Sequence, residues 1–157
     1  MVKGFLGSLL LVVVAAGPPS LSDMRLSFGV AGQAAGPSQN YQGLEMTVTK
    51  VERATSASLR DCPPGTNTVN AVTRPGEQFA LVTIAFKVGP SFKPGPMKRP
   101  SVTDTADKSY LTASQFVDVG SVPEYSCTFP FRLPEGTKLK ALHIETATFD
   151  LAALDNR

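Results

Sequence analysis

Tryptophan is absent from these 157 residues, histidine occurs once and cysteine twice. Each scarcity removes a chemistry. A Ser-His-Asp or Cys-His pair would have to use His143, the single histidine. His143 lies in an alternating strand pattern on the polar phase, where side chains meet solvent. Two cysteines and one histidine do not fill a tetrahedral zinc shell without carboxylates. No C-x-x-C occurs, so thiol redox catalysis has no motif. No glycine-rich loop with a phosphate-binding lysine is present. Without tryptophan, and with three tyrosines, an aromatic platform for sugars is poorly supplied.

Charge of one sign is also lacking. Fifteen basic residues stand against 13 acidic ones, spread without blocks. That balance argues against a nucleic-acid surface or a polybasic membrane surface. Paired carboxylates, as glycosidases use, have candidates in Asp104, Asp107 and Asp118. These read as turn and strand-edge residues that bond their own backbone. Asp104 and Asp107 with neighbouring carbonyls offer oxygen to a Ca²⁺ ion, but their spacing departs from the D-x-D-x-D-G loop. No metal or cofactor is expected, and the chain is read as a non-enzyme.

No long membrane-spanning run occurs either. After Lys3 the chain is uncharged from Gly4 to Gly17, and Pro18-Pro19 then stops any helix. The stretch falls short of the roughly 20 residues that cross a bilayer. A basic start, a short apolar core and following small residues give the layout of a secretory signal. Residues 1–22 are assigned to it, with cleavage after Ala16, Gly17, Ser22 or Ala34. A retained anchor and a buried first strand are the alternatives. No stable transmembrane segment is expected after processing. Residues 23–40, rich in Gly, Ala, Ser and Gln, read as a flexible linker, and 41–157 as one domain. The expected location is secreted or extracytoplasmic, in the cell envelope or periplasm. There an even cysteine count suggests a Cys62–Cys127 bridge, against the alternative of two separate buried thiols.

What is abundant is turn residues, with 13 prolines and 13 glycines. Between them lie short β-like runs. In GLEMTVTKV, Leu44, Met46 and Val48 alternate with Glu45, Thr47 and Thr49, and Val51 falls out of phase, as at a bulge or strand end. RPGE is a sharp turn with Gly76 at the position that favours positive φ. QFALVTIAFKV puts Val82, Ile84, Phe86 and Val88 on one face. SVTDTADKSYL reads as a strand, a turn over Thr105 to Lys108 and a short strand. Gln115 to Val119 forms another. YSCTFPFRLPEG places Tyr125, Cys127, Phe129 and Phe131 inward, with Pro130 implying an edge or bulge. KLKALHIETATF is the last long strand, with Leu142, Ile144 and Thr146 inward. LAALDNR is a short frayed tail. Seven or eight strands without crossover helices predict an all-β, immunoglobulin-like antiparallel β-sandwich.

The succession GLEMTVTKVERA, PGEQFALVTIAFKV, VTDTADKSY and VPEYSCTFPFRLPEGTKLKAL resembles the telokin-like, immunoprotective-extracellular-type domains of secreted bacterial proteins. The matching stretches are Gly43 to Val51, Phe79 to Val88, Thr103 to Tyr110 and Phe129 to Gly136, within roughly Tyr41 to Phe149. The resemblance implies a sandwich and brings no catalytic residue set. The Pro-rich loop after Gly89 and the cysteine pair depart from its pattern.

These observations favour a non-catalytic interaction or structural module whose partner is a protein or envelope component, not nucleic acid. A small-ligand- or metal-binding protein is the alternative. The candidate contact is the loop from Gly89 to Pro100. Pro90, Pro94, Pro96 and Pro100 forbid a regular ladder there, and Phe92, Met97, Lys98 and Arg99 offer apolar groups rimmed by charge; the alternative is a plain connector with Phe92 tucked against the sandwich.

Overall fold

The computed structural model describes residues 36–58, 62, 70–113, 119–120 and 122–155. They form ten strands: β1 (Ser38–Tyr41), β2 (Leu44–Ala54), β3 (Ser56–Ser58), β4 (Asn70–Val72), β5 (Glu77–Val88), β6 (Ser101–Asp104), β7 (Ser109–Leu111), β8 (Glu124–Pro134), β9 (Leu139–Ile144) and β10 (Ala147–Asp150). One sheet has the order β1-β2-β5-β8, the other β10-β9-β6-β7, and β3-β4 make a separate ribbon. Every pairing is antiparallel. No helix among the described residues is long and apolar enough to cross a membrane. The expected signal segment lies outside the described residues.

The connectivity follows the immunoglobulin plan. There B neighbours E in one sheet, and C neighbours F in the other. Here β5 neighbours β8, and β6 neighbours β9. β2 and β10 take the places of A and G, β7 extends the second sheet as a C′ strand does, and β1 is an addition outside β2. β1 lies against β10 and β7 against β8, so the two sides of the sandwich close.

Period-two alternation builds the core. Leu44, Met46 and Val48 of β2, Val82, Ile84 and Phe86 of β5, and Cys127, Phe129, Phe131 and Leu133 of β8 join Val102, Leu142, Ile144 and Phe149 in one buried cluster. Burying each such side chain contributes roughly 1.5–3 kcal/mol. The β2–β5 register shifts between Val48 and Lys50, the bulge that the phase of Val51 announces. Pro130 pairs with Leu81 of β5 on strand β8, which ends its sheet, so its missing donor breaks no ladder. The Thr112 hydroxyl caps the Pro130 carbonyl from the β7 side, at 2.9 Å.

Cys62, between β3 and β4, is bonded to Cys127 of β8 across 65 residues of sequence. The bridge fixes the ribbon region to the edge of the first sheet. It is compatible with an oxidising, extracytoplasmic setting.

Three expectations require correction. The linker assigned up to residue 40 ends earlier: Ser38 to Asn40 are already strand, paired with Thr47 to Glu45. Gly36 packs so close that an added Cβ would collide with the Val48 carbonyl oxygen. The single last strand is a hairpin instead. β9 ends at Ile144, Glu145 turns at φ 52°, and Thr146 is exposed where an inward position was expected. The tail is anchored, with Leu151 and Leu154 in the core. Asp155 accepts from Arg53 Nε and Nη2 and from the Leu139 N–H. The strand expected over Gln115 to Val119 lies outside the described residues except for Val119, which sits in a turn.

Candidate functional site

Strand β5 delivers the chain at Val88 into the Pro-rich loop. With four prolines in twelve residues the loop cannot pair as a strand, so side chains and backbone caps must hold it. The Val88 N–H donates to Pro123 O, and the Gly89 N–H to Gly43 O, both at 2.8 Å. The Phe92 N–H returns to Gly89 O at 3.1 Å. At the far end Pro100 is buried, and its carbonyl accepts the Thr112 N–H. Between these ends the Lys98 N–H donates to Glu145 Oε1, contributed by the β9–β10 turn.

Phe92 is a further anchor, tucked against the sandwich as in the plain-connector alternative, and this takes its ring out of the candidate contact set. Its ring is only 9% exposed and belongs to the core cluster. A Cβ on Gly120 would lie 3.2 Å from that ring and 3.0 Å from Pro94, and Gly120 holds φ at 101°, so glycine is needed beneath the loop. Met97 packs against the same cluster, half-buried. The apolar members therefore hold the loop. Lys93, Lys98 and Arg99 remain exposed on it. At Lys93 is a cleft of about 180 Å³, lined by Tyr41, Gln42, Phe92, Lys93, Gly95, Pro96 and Met97.

Two further concavities are open to solvent. One, of about 480 Å³, lies on the outer face of the first sheet. Its floor is the cross-strand row Thr47, Ala85 and Ser126, bordered by Glu45, Lys87 and Glu124. The other, of about 710 Å³, lies between the ribbon base and the Arg74-Pro75-Gly76-Glu77 turn. There Arg132 Nη1 donates to Glu77 Oε2 at 2.7 Å, and this guanidinium bond, aided by the Arg74 N–H, holds the Glu77 carboxyl below its ordinary range.

The other chemical candidates are tied into the scaffold. Asp104 is 7% exposed, and its carboxylate accepts from the N–H groups of Lys108 and Ala106 and from the Tyr110 hydroxyl. Those bonds, that of Lys108 foremost, lower its pKa against the opposing effect of burial. Burial, and then the adjacent carboxylate, raise that of Tyr110. Asp107 pairs with Lys140 Nζ at 2.6 Å, which raises the lysine pKa. Asp118 lies outside the described residues. His143 faces outward as expected, but it is half-buried rather than simply solvated. Its Nε2 and Nδ1 each lie 3.2 Å from a threonine hydroxyl, of Thr103 and Thr148. Among the described residues no group of three or more His, Cys, Asp or Glu could hold a metal ion.

Sequence reasoning missed Glu145, Tyr41 and Gln42 as neighbours of the loop. Gln42 and Glu145 come from turns and Tyr41 from the end of β1, segments that converge only in the folded sandwich, so no local pattern announces them. In comparisons with known proteins, no family model, no curated protein and no solved structure matches the chain.

Proposed function

We propose that this chain is an exported, non-catalytic binding module that meets a protein partner of the cell envelope through the loop over residues 89–100. One observation carries the reading: the loop is fixed at both ends and in its middle, yet holds Lys93, Lys98 and Arg99 out to solvent. A loop fixed in advance loses little entropy on docking, and loops on a rigid β scaffold carry function disproportionately. Export rests on the short apolar run behind Lys3 and is in keeping with the disulfide. The engagement of Asp104, Asp107 and His143 in scaffold contacts supports a non-catalytic role. The telokin-like resemblance of the strand succession points the same way.

The test is site-specific photocrosslinking in the producing cell. A crosslinker at Lys98 or Arg99 should give a discrete adduct that one at Lys50, on β2, does not. Equal labelling from both positions, or none from the loop, counts against the loop as the interface.

A further inference from the structure

We infer that the partner presents an acidic protein segment to this loop, with one carboxylate side chain seated in the cleft beside Lys93 and others meeting Lys98 and Arg99. The inference rests on the reading of the loop as the interface and names the chemistry it recognises.

Five cations of the domain are neutralised locally, in the pairs Lys50–Glu52, Arg53–Asp155, Lys87–Glu124, Arg132–Glu77 and Lys140–Asp107. Lys93, Lys98 and Arg99 share a short loop, and none has an ion pair with a described residue. Glu145 does reach the loop, but one of its oxygens is committed to the Lys98 backbone N–H. The loop thus gathers within seven residues three cations that make no ion pair with a described residue, whereas Arg74, Lys108 and Lys138, which also make none, are spread over other turns. Their positions are set by the buried Phe92 and by the backbone bonds at Gly89 and Pro100. Such an arrangement attracts an anionic partner and fixes its register.

The cleft narrows the class. At about 180 Å³ it is smaller than the roughly 300–1,000 Å³ of pockets that enclose small molecules. It suits a single side chain. Most of its accessible lining is polar, and Lys93 and Gln42 offer donors for a carboxylate. An anionic bilayer is disfavoured, because interfacial anchors insert large apolar side chains. Phe92 is buried here, and among the described residues the large exposed apolar ones, Val72 and Leu111, lie off the loop.

The experiment is an NMR titration of the full chain with hexaglutamate, with hexaglutamine and with phosphatidylglycerol vesicles. Hexaglutamate should shift amides of residues 89–100 and of Tyr41 to Gly43, and hexaglutamine should not. Affinity should fall about fivefold or more from low to physiological salt, because exposed charges are screened over about 8 Å there. The triple change Lys93→Ala, Lys98→Ala, Arg99→Ala should weaken binding at least about tenfold, and as a surface change it should leave the unfolding midpoint nearly unmoved. Equal shifts with hexaglutamine, shifts centred elsewhere, or unchanged binding by the triple variant overturn the inference. So does vesicle binding without peptide binding. If the Lys98 crosslink persists while hexaglutamate fails, the interface stands and its acidic chemistry falls. If both fail, the interface reading falls with it.

Discussion

The Tyr110 hydroxyl donates to Asp104 Oδ2 at 2.9 Å, while Oδ1 of the same carboxylate accepts the N–H groups of Ala106 and Lys108. One side chain thereby closes the β6–β7 turn on itself and ties it to the aromatic ring that follows. The backbone adds Asp104 N–H to Lys108 O and Asp107 N–H to Asp104 O, each at 3.0 Å. Asp107 can then hold φ at 60°, where its carboxylate meets Lys140.

This constellation makes stability pH-dependent with a defined sign. The folded carboxyl of Asp104 titrates below its ordinary value of 3.8. Its stabilisation is therefore complete above about pH 4 and is lost as pH falls through the lower folded value. Urea unfolding midpoints followed from pH 6 down to pH 2 should drop. Asp104→Asn should be less stable at pH 6 and show a shallower acid limb. Tyr110→Phe should cost roughly 1–2 kcal/mol at neutral pH through the lost bond to a charged acceptor. An Asp104→Asn acid limb as steep as that of the parent would remove Asp104 from the acid transition.

The Cys62–Cys127 bridge should be a large single contribution to stability. Closing a loop of 65 residues is worth roughly 4 kcal/mol in the chain-entropy model. Thiol titration of the unfolded, unreduced protein should find no free thiol, and reduction or the double serine variant should lower the urea midpoint strongly. A midpoint indifferent to reductant would show that the bridge constrains nothing in the unfolded chain.

Phe92 and its basic neighbours should separate cleanly. Phe92→Ala removes a core ring and should cost about 3 kcal/mol or more. Lys98→Ala and Arg99→Ala, both exposed, should each stay within about 0.5 kcal/mol. Thermal melts of the three variants read the difference. A Phe92→Ala protein as stable as the parent would mean that the loop is not anchored by this ring.

Gly36→Ala tests where the domain begins. The added methyl meets the Val48 carbonyl, and the Pro37 carbonyl accepts the Val48 N–H at 3.1 Å in the same contact. A loss of roughly 1–3 kcal/mol is expected from such overpacking. Protease protection of Ser38 to Tyr41 should fall with it. No change in either would place β1 outside the cooperative unit.

The sequence by itself determined what depends on neighbours along the chain. Alternation set the inward faces of β2, β5 and β8. The out-of-phase Val51 announced a bulge, and Pro130 announced an edge. Gly76 and Gly136, at φ 80° and 76°, follow from turn chemistry that is complete within four residues. The antiparallel sandwich followed from the lack of helices. Only tertiary structure decided which segments are scaffold and which are surface. Ser38 to Tyr41 carry almost no apolar signal and become strand because the open edge of β2 offers backbone partners. His143 finds Thr103 and Thr148 because β6 and β10 flank β9. Among prolines and charges, the sequence left Phe92 either exposed or tucked against the sandwich. The ring is buried because the loop folds back across Gly120, and that leaves three cations outside with no ion pair to a described residue. Burial is a property of surfaces brought together over long sequence separations, and no window of sequence contains it.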